Sequence, residues 1–326
     1  MTVSIVDAAA GLRALAHDWQ SLWQRTGVTP FQSPHWLLPW WDAFGTGLPR
    51  VAAWHVDGAL RGVLPAYVLP ADVTRAADGP KLLPIGAGTS DYLDVLGEGA
   101  GPLLHALLDR AAADGVARSD WIELPPWSPL HALAPPGGWT VASHESSPCP
   151  VLTLPAIPPG IARKLRMSRH RAGRAGGWTM DLATPATLDA ALESLVTLHQ
   201  ARWATGGEPG VLCDDAVLAF HRASSPGLLA AGLLRLAVLR VGGTVAAAIL
   251  ALLGPGRIFF YISGYDTAQS FVSPGTLLLG AMLEEAIAEG RTEAHFLRGR
   301  EPYKYAWGAV DRMNATLSLV RAEGPG

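Results

Sequence analysis

The sequence predicts an α/β protein with mixed sheets, built as two domains, and three observations carry that reading. The chain has 326 residues, more than the ~250–300 at which a single hydrophobic core stops growing. Residues 233–263 hold three β-runs, LLRLAVLRV, TVAAAILALL and RIFFYIS, separated by Gly242-Gly243 and Gly254-Pro255-Gly256. They read as an antiparallel meander that feeds a helix opening at Ser273-Pro274-Gly275. Residues 125–160 are crowded with proline and have little helical period, which sets the boundary within 148–160 and gives domains 1–152 and 153–326.

In the first domain, Leu12, Leu15, Trp19, Leu22 and Trp23 recur at helical spacing, so residues 7–26 are expected to form one amphipathic helix ending near Gly27. Ser33 suits an N-cap with Pro34 at N1 of a second helix, which Pro39 should kink or end early. Trp36, Trp40 and Trp41 on that helix are expected in the core. VAAWHV and RGVLPAYVL around Asp57-Gly58 read as a hairpin, followed by the loop TSDYLD, a helix over 101–114 and a strand at 120–124. The second domain begins with GIARKLRMSRHRAGRAGG, a basic helix with six Arg or Lys, His170 and no acid. Helices at 186–203 and about 214–222 precede the meander. A short strand ending at Phe296-Leu297 and a last strand, NATLSLVRA, follow the helix that opens at Ser273.

Bulk composition excludes several classes. With 49% hydrophobic and 16% charged residues the chain is globular, far from the signature of disorder. Cys149 and Cys213 make neither a disulfide scaffold nor a metal motif. MTVSIVDAAAGLRAL is interrupted by Asp7 and Arg13, so no signal peptide and a cytoplasmic location are expected. Val241–Gly256, the longest uncharged apolar run, falls short of the ~20 residues of a membrane span. Residues 1–150 carry 8 basic and 14 acidic side chains (−6), and residues 151–326 carry 17 and 14 (+3), so anion binding is expected in the second half. There is no GxSxG elbow, Walker loop or metal-ligand spacing, and no metal is expected.

Chemistry is concentrated in HFLRGREPYKYAWGA, residues 295–309, in a chain with only three lysines. Glu301 there is a candidate general base, Tyr303 or Tyr305 a proton donor, and Lys304 a further catalytic candidate. The alternative is an ion-pair network of Arg298, Glu301 and Lys304 pinning the last strand. Asp91, Tyr92 and Asp94 in TSDYLD are candidates for a carboxylate pair that steers an acceptor, against an Asx-type turn. His199 sits on an apolar helical stripe, and Arg202 and Trp203 end that helix where they can grip a charged or sugar-like acceptor. The basic helix admits a solvated face, a contact for a coenzyme 3′-phosphate, or a dock for an acidic polymer or a tRNA acceptor end, while a pI near 6.4 argues against nucleic-acid binding as a main function.

The order of meander, helix, strand, short helix and strand is that of a GNAT-type N-acetyltransferase core. There the helix N-terminus, with its orphan N–H groups and dipole, seats a pyrophosphate. Together, TPFQSPHWLLPWWDAFG, SDYLDVL, LHQARW, FFYISGYD…SPGTLLLGAMLEEAIAEG and FLRGREPYKYAWGA resemble the CelD/BcsL-type acyltransferases, GNAT-like proteins related to FemAB aminoacyl transferases, from about residue 17 onward. The resemblance implies tandem GNAT-like acyltransferase domains. The first is expected on the acceptor side with a degenerate donor site, and the second is expected to take acetyl-CoA or another acyl-CoA. Ile262, Ser263, Ser273, Gly275 and Thr276 are the expected donor contacts. Tyr265 and Arg298 join Tyr92, Asp94, His199, Arg202 and Trp203 on the acceptor side. A saccharide or other small acceptor in polysaccharide or envelope metabolism is expected. An aminoacyl-tRNA donor and a non-catalytic scaffold are the alternatives. The superfamily's glycine-rich phosphate loop is reduced here to QSFVSPGT.

Overall fold

The structure is a computed structural model that describes residues 1–27, 29–73, 79–207 and 209–322. It divides into two compact units, Met1–Ser147 with Met313–Gly326, and Pro148–Arg312. The expected division at 152/153 thus falls five residues earlier, and the chain's end returns to the first unit.

The first unit starts with β1 (Thr2–Val6), α1 (Ala9–Ala14), α2 (Ala16–Thr26) and α3 (Pro34–Phe44). The expected single helix is broken at Leu15, which stands between α1 and α2. Ser33 caps α3 by accepting from the His35 N–H, and Pro39 is carried inside the helix without ending it. Then come β2 (Leu48–Val56), β3 (Ala59–Leu69), β4 (Lys81–Pro84), β5 (Leu96–Gly97), α4 (Ala100–Ala113) and β6 (Arg118–Leu124). Leu103, Leu104, Leu107 and Leu108 of α4 pack with Leu64, Leu82 and Trp121 of the sheet. The proline-rich interval, where no strand was expected, holds β7 (Trp139–Thr153). Its prolines stand at positions 148 and 150, toward the strand's second part, leaving Trp139–Ser147 free to pair.

In the second unit, the end of β7 leads into α5 (Pro159–Arg174), β8 (Trp178–Leu182), α6 (Leu188–Gly206) and α7 (Asp215–Ala230). Next are β9 (Leu234–Val241), β10 (Thr244–Gly254), β11 (Arg257–Tyr265), α8 (Pro274–Ala288), β12 (Glu293–His295) and α9 (Pro302–Ala306), after which β13 (Val310–Arg321) passes into the first unit from Met313. Strand order runs β7, β12, β11, β10, β9, β8. α5 and α8 share a core with Ala237, Leu239, Ile249, Ile258 and Phe260. Gly280 brings those helices close, because a Cβ there would lie 2.3 Å from Leu165 Cδ2.

Both units repeat one plan. β2, β3 and β4 form an antiparallel meander, α4 crosses over, and β6 pairs in parallel with β4. β9, β10 and β11 do the same, with α8 crossing to β12 in parallel with β11. An antiparallel strand then completes each: β13 beside β6, and the end of β7 beside β12.

Candidate functional site

β11 and β12 pair over three rungs, Arg257 with Glu293, Ile258 with Ala294 and Phe259 with His295, and then part. The cause lies in the backbone after β12. Phe296 donates to the Pro150 carbonyl at 2.9 Å and Gly299 to that of Pro148 at 3.2 Å, so this segment follows β7 instead of β11, and Leu297 turns it with φ +60°. On the other side, the register to β10 jumps from Ile262 to Phe260, leaving Tyr261 as a bulge. Beyond Phe259, one edge of β11 therefore has no ladder partner among the described residues. Phe260 stacks on Phe296 (centroids 5.7 Å apart) and Phe296 meets Tyr303 edge to face, so the apex of the split is aromatic.

Around this opening the structure gathers most of the residues expected from the sequence. Ser273 adopts φ +52° and Pro274 starts α8. Leu277 donates back to the Ser273 carbonyl at 3.0 Å, leaving the N–H groups of Gly275 and Thr276 at the first turn. Gly275 is needed because the Tyr265 ring lies against it, with Cδ1 3.2 Å from where a Cβ would stand. Arg202, in the last turns of α6, sets its guanidinium carbon 4.9 Å from the centre of the Tyr265 ring and 6.0 Å from that of Trp203. Gly264 permits this, since a Cβ there would lie 2.5 Å from the His199 backbone N. Ile262 and Ser263 lie on β11 between the bulge and Gly264.

The opening also selects protonation states. Burial first, then the negative charge of Glu301, pushes the Tyr303 hydroxyl up to about 12 against the lowering effect of Arg202, so it stays a donor at neutral pH. Tyr303 remains partly exposed, whereas the Tyr305 hydroxyl is spent on Asp311 at 2.7 Å. Lys304, expected as a further catalytic candidate, is held by the loop before α9. Its ammonium is buried, donates to the carbonyls of Leu297, Arg298 and Gly299 at 3.1, 2.6 and 3.2 Å, and pairs with Glu301 at 2.9 Å. It holds the loop that makes the split, which matches the pinning alternative, with Arg298 taking part through its carbonyl.

His199 is buried, and burial, helped by Arg202, lowers its imidazole to about 4. It couples to His221 on α7, which burial, then His199, lowers to about 3 and whose ring meets Tyr261 at 5.5 Å. His199, expected on the acceptor side, is thus a buried, neutral residue packed against β11. Sequence reasoning missed His221 and the Gly264 approach. A lone glycine inside the β-run FFYISGY was the available signal for the latter.

The three TSDYLD candidates belong to the first unit and are buried there. The parallel pairing of β4 and β6 has two rungs and also gives way, but the loop between β4 and α4 closes over it. Leu93 donates to the Glu123 carbonyl at 3.0 Å, the Tyr92 ring lies 5.4 Å from that of Trp127, and Asn314 donates to the Asp91 carbonyl at 2.7 Å. Asp94 accepts from the Ser128 hydroxyl and the Val95 N–H, while burial raises its carboxyl to about 7. Asp91, Tyr92 and Asp94, expected in acceptor and catalytic roles, are thus buried and bonded within the first unit.

Residues 161–305 match the family model described as an acetyltransferase (GNAT) domain. The fold is similar to FemX (12% identity, TM-score 0.64, covering 97% of each chain). It is also similar to the C-terminal domain of a protein described as a lysylphosphatidylglycerol synthetase from Agrobacterium fabrum (11%, TM-score 0.62, 95% of this chain and 92% of that one). L-PGS from Bacillus licheniformis gives 13% and 0.61 over the same shares. The sequence finds no match among curated proteins. The chain thus has a mixed α/β fold whose second part, residues 161–305, matches a GNAT acetyltransferase domain. No described helix is long and apolar enough to cross a membrane.

Proposed function

We propose that the second unit is an acyltransferase of the CelD/BcsL kind that moves an acyl group from an acyl-coenzyme A to an amine or hydroxyl of a small or saccharide acceptor in polysaccharide or envelope metabolism. The observation that carries this is the parting of β11 from β12 beside a bulge and in front of a helix start. An acyl-coenzyme A supplies an activated thioester. The residues present fit such a donor: Gly275 and Thr276 offer backbone N–H groups and the positive end of the α8 dipole to a pyrophosphate. The unladdered edge of β11 near Tyr261–Ser263 offers N–H groups to an acyl oxygen, where donors already in place favour developing charge.

Glu301, half-exposed beside Tyr303, takes the acceptor's proton, and the Tyr303 hydroxyl gives one up to the departing sulfur. Arg202, Trp203 and Tyr265 hold the acceptor. The test is a thermal-shift titration with coenzyme A and acetyl-coenzyme A on the wild type and on Gly275→Glu. A ligand at a hundred times its dissociation constant stabilises by ~2.7 kcal/mol. Stabilisation of the wild type alone supports the reading; no shift in a folded wild type removes it.

A further inference from the structure

α5 presents to solvent a face that the acyl-transfer reading does not use. Arg163, Lys164, Arg166, His170, Arg171 and Arg174 are all exposed on it, and the helix has no acid in its first turn or anywhere between Gly160 and Gly177. Its opposite stripe, Ile161, Leu165 and Ala172, is locked into the core. Arg169, at the flank, pairs with Glu284 and lies over Trp178. Among the described residues no ion pair involves Arg163, Lys164, Arg166 or Arg174.

The outer face therefore works against its own helix. Arg163 and Lys164 stand near the N-terminus, where the dipole disfavours cations. Arg163 with Arg166, Arg166 with His170 and His170 with Arg174 are neighbours at i,i+3 or i,i+4, a spacing at which like charges repel when both are ionised. Arg171 and Arg174, in the last turn, gain from the dipole, but among the described residues no acidic side chain neutralises Arg163, Lys164, Arg166 or Arg174, which leaves them open to an external anion. Two exposed apolar side chains lie in the same region. Met167 is in the middle of the face, and Phe271 follows at the loop before α8, where the Arg171 guanidinium holds its carbonyl at 2.9 Å.

We infer that this face seats the protein on an anionic lipid surface. The cations lie on the exposed face of a single helix, which suits a plane of phosphates better than a strand threaded through a groove. Met167 and Phe271 can enter the headgroup layer between them. This surface lies outside the candidate acyl-transfer residues and does not depend on their role.

The test is co-sedimentation of the whole chain, at about 0.1 M salt, with vesicles of pure phosphatidylcholine and of phosphatidylcholine mixed with phosphatidylglycerol. The proteins are the wild type and the triple variant Arg163→Glu, Arg166→Glu, Arg174→Glu. One cation near an anionic surface is worth roughly a fivefold change in partitioning, so the triple reversal should lower retention at least a hundredfold. Retention on anionic vesicles only, lost in a variant with unchanged melting, is the expected result, and Met167→Ser with Phe271→Ser should weaken the retention that survives high salt. No retention of the wild type, or equal retention of both, overturns the inference. So does tighter, triple-sensitive binding of an RNA duplex than of the vesicles. If the triple variant fails to fold, the single Arg166→Glu and Arg174→Glu variants give the same reading at about tenfold or more each.

Discussion

Replacing Lys304 by Met separates a scaffold from a catalyst. The ammonium sits at 3% side-chain exposure and makes three bonds to the carbonyls of one loop, plus the pair with Glu301. Each hydrogen bond from a charged donor contributes ~1.5–3 kcal/mol, offset by several kcal/mol for keeping the ammonium out of water. Met fills the space but leaves three carbonyls without their donor, and removing one partner of a buried charged cluster costs ~3–5 kcal/mol. In a body of this size about 1 kcal/mol moves Tm by ~2–4 °C, so Lys304→Met should melt roughly 6–20 °C lower. Glu301→Gln, at the half-exposed end of the pair, should cost under about 1 kcal/mol. Calorimetry on both variants, with coenzyme A titrated into each, reads this out. A Lys304→Met protein that melts within about 2 °C of the wild type yet has lost all turnover would refute the scaffold and return Lys304 to the chemistry.

Gly264→Ala drives a Cβ into the backbone at His199 and should cost ~1–3 kcal/mol by overpacking while displacing Arg202, seen as a lower unfolding midpoint in urea and a raised KM for the acceptor. His199 and His221 are held neutral, with pKa values lowered to about 4 and about 3. Unfolding lets them take protons below ~6.5, so stability should fall as pH drops from there toward 4, and His221→Gln should flatten that fall; a Tm-against-pH curve parallel to the wild type would contradict it. Asp94 runs the other way. Its carboxyl, raised to about 7, favours the fold below the ordinary carboxylate range and loses that advantage as pH rises to 7, so Asp94→Asn should raise Tm at pH 8 and leave it nearly unchanged at pH 4.

The second unit was the more legible half because its signals are local. The meander's glycine turns, the Ser273-Pro274 start and the tyrosines of the HFLRGREPYKYAWGA stretch need only sequence spacing to be read, and the structure brings Arg202, Tyr265, Gly275 and Tyr303 to one opening. What the sequence hid depends on partners distant in the chain. Lys304 looked like a reagent because its acceptors are carbonyls, which any sequence supplies. Asp91, Tyr92 and Asp94 looked like an acceptor grip because polar residues in a glycine-rich loop resemble a binding loop; their partners Asn314, Trp127 and Ser128 lie too far along the chain for spacing to reveal. β7 was missed because prolines mask its second part, and β8 because WTMDL is too short to show alternation.

The return of β13 to the first unit bears on the order in which the protein can be made. Leu317 and Leu319 are buried in a core whose other members are translated much earlier, and Ala315 pairs with Leu124. At ~5–20 residues per second the edge of β6 waits roughly 10–40 s for its neighbour to leave the ribosome. The residues of the second unit emerge during that interval and can fold first. A chain truncated after Arg312 should therefore carry a finished later unit and an open earlier one, reversing the usual sequence of domain completion.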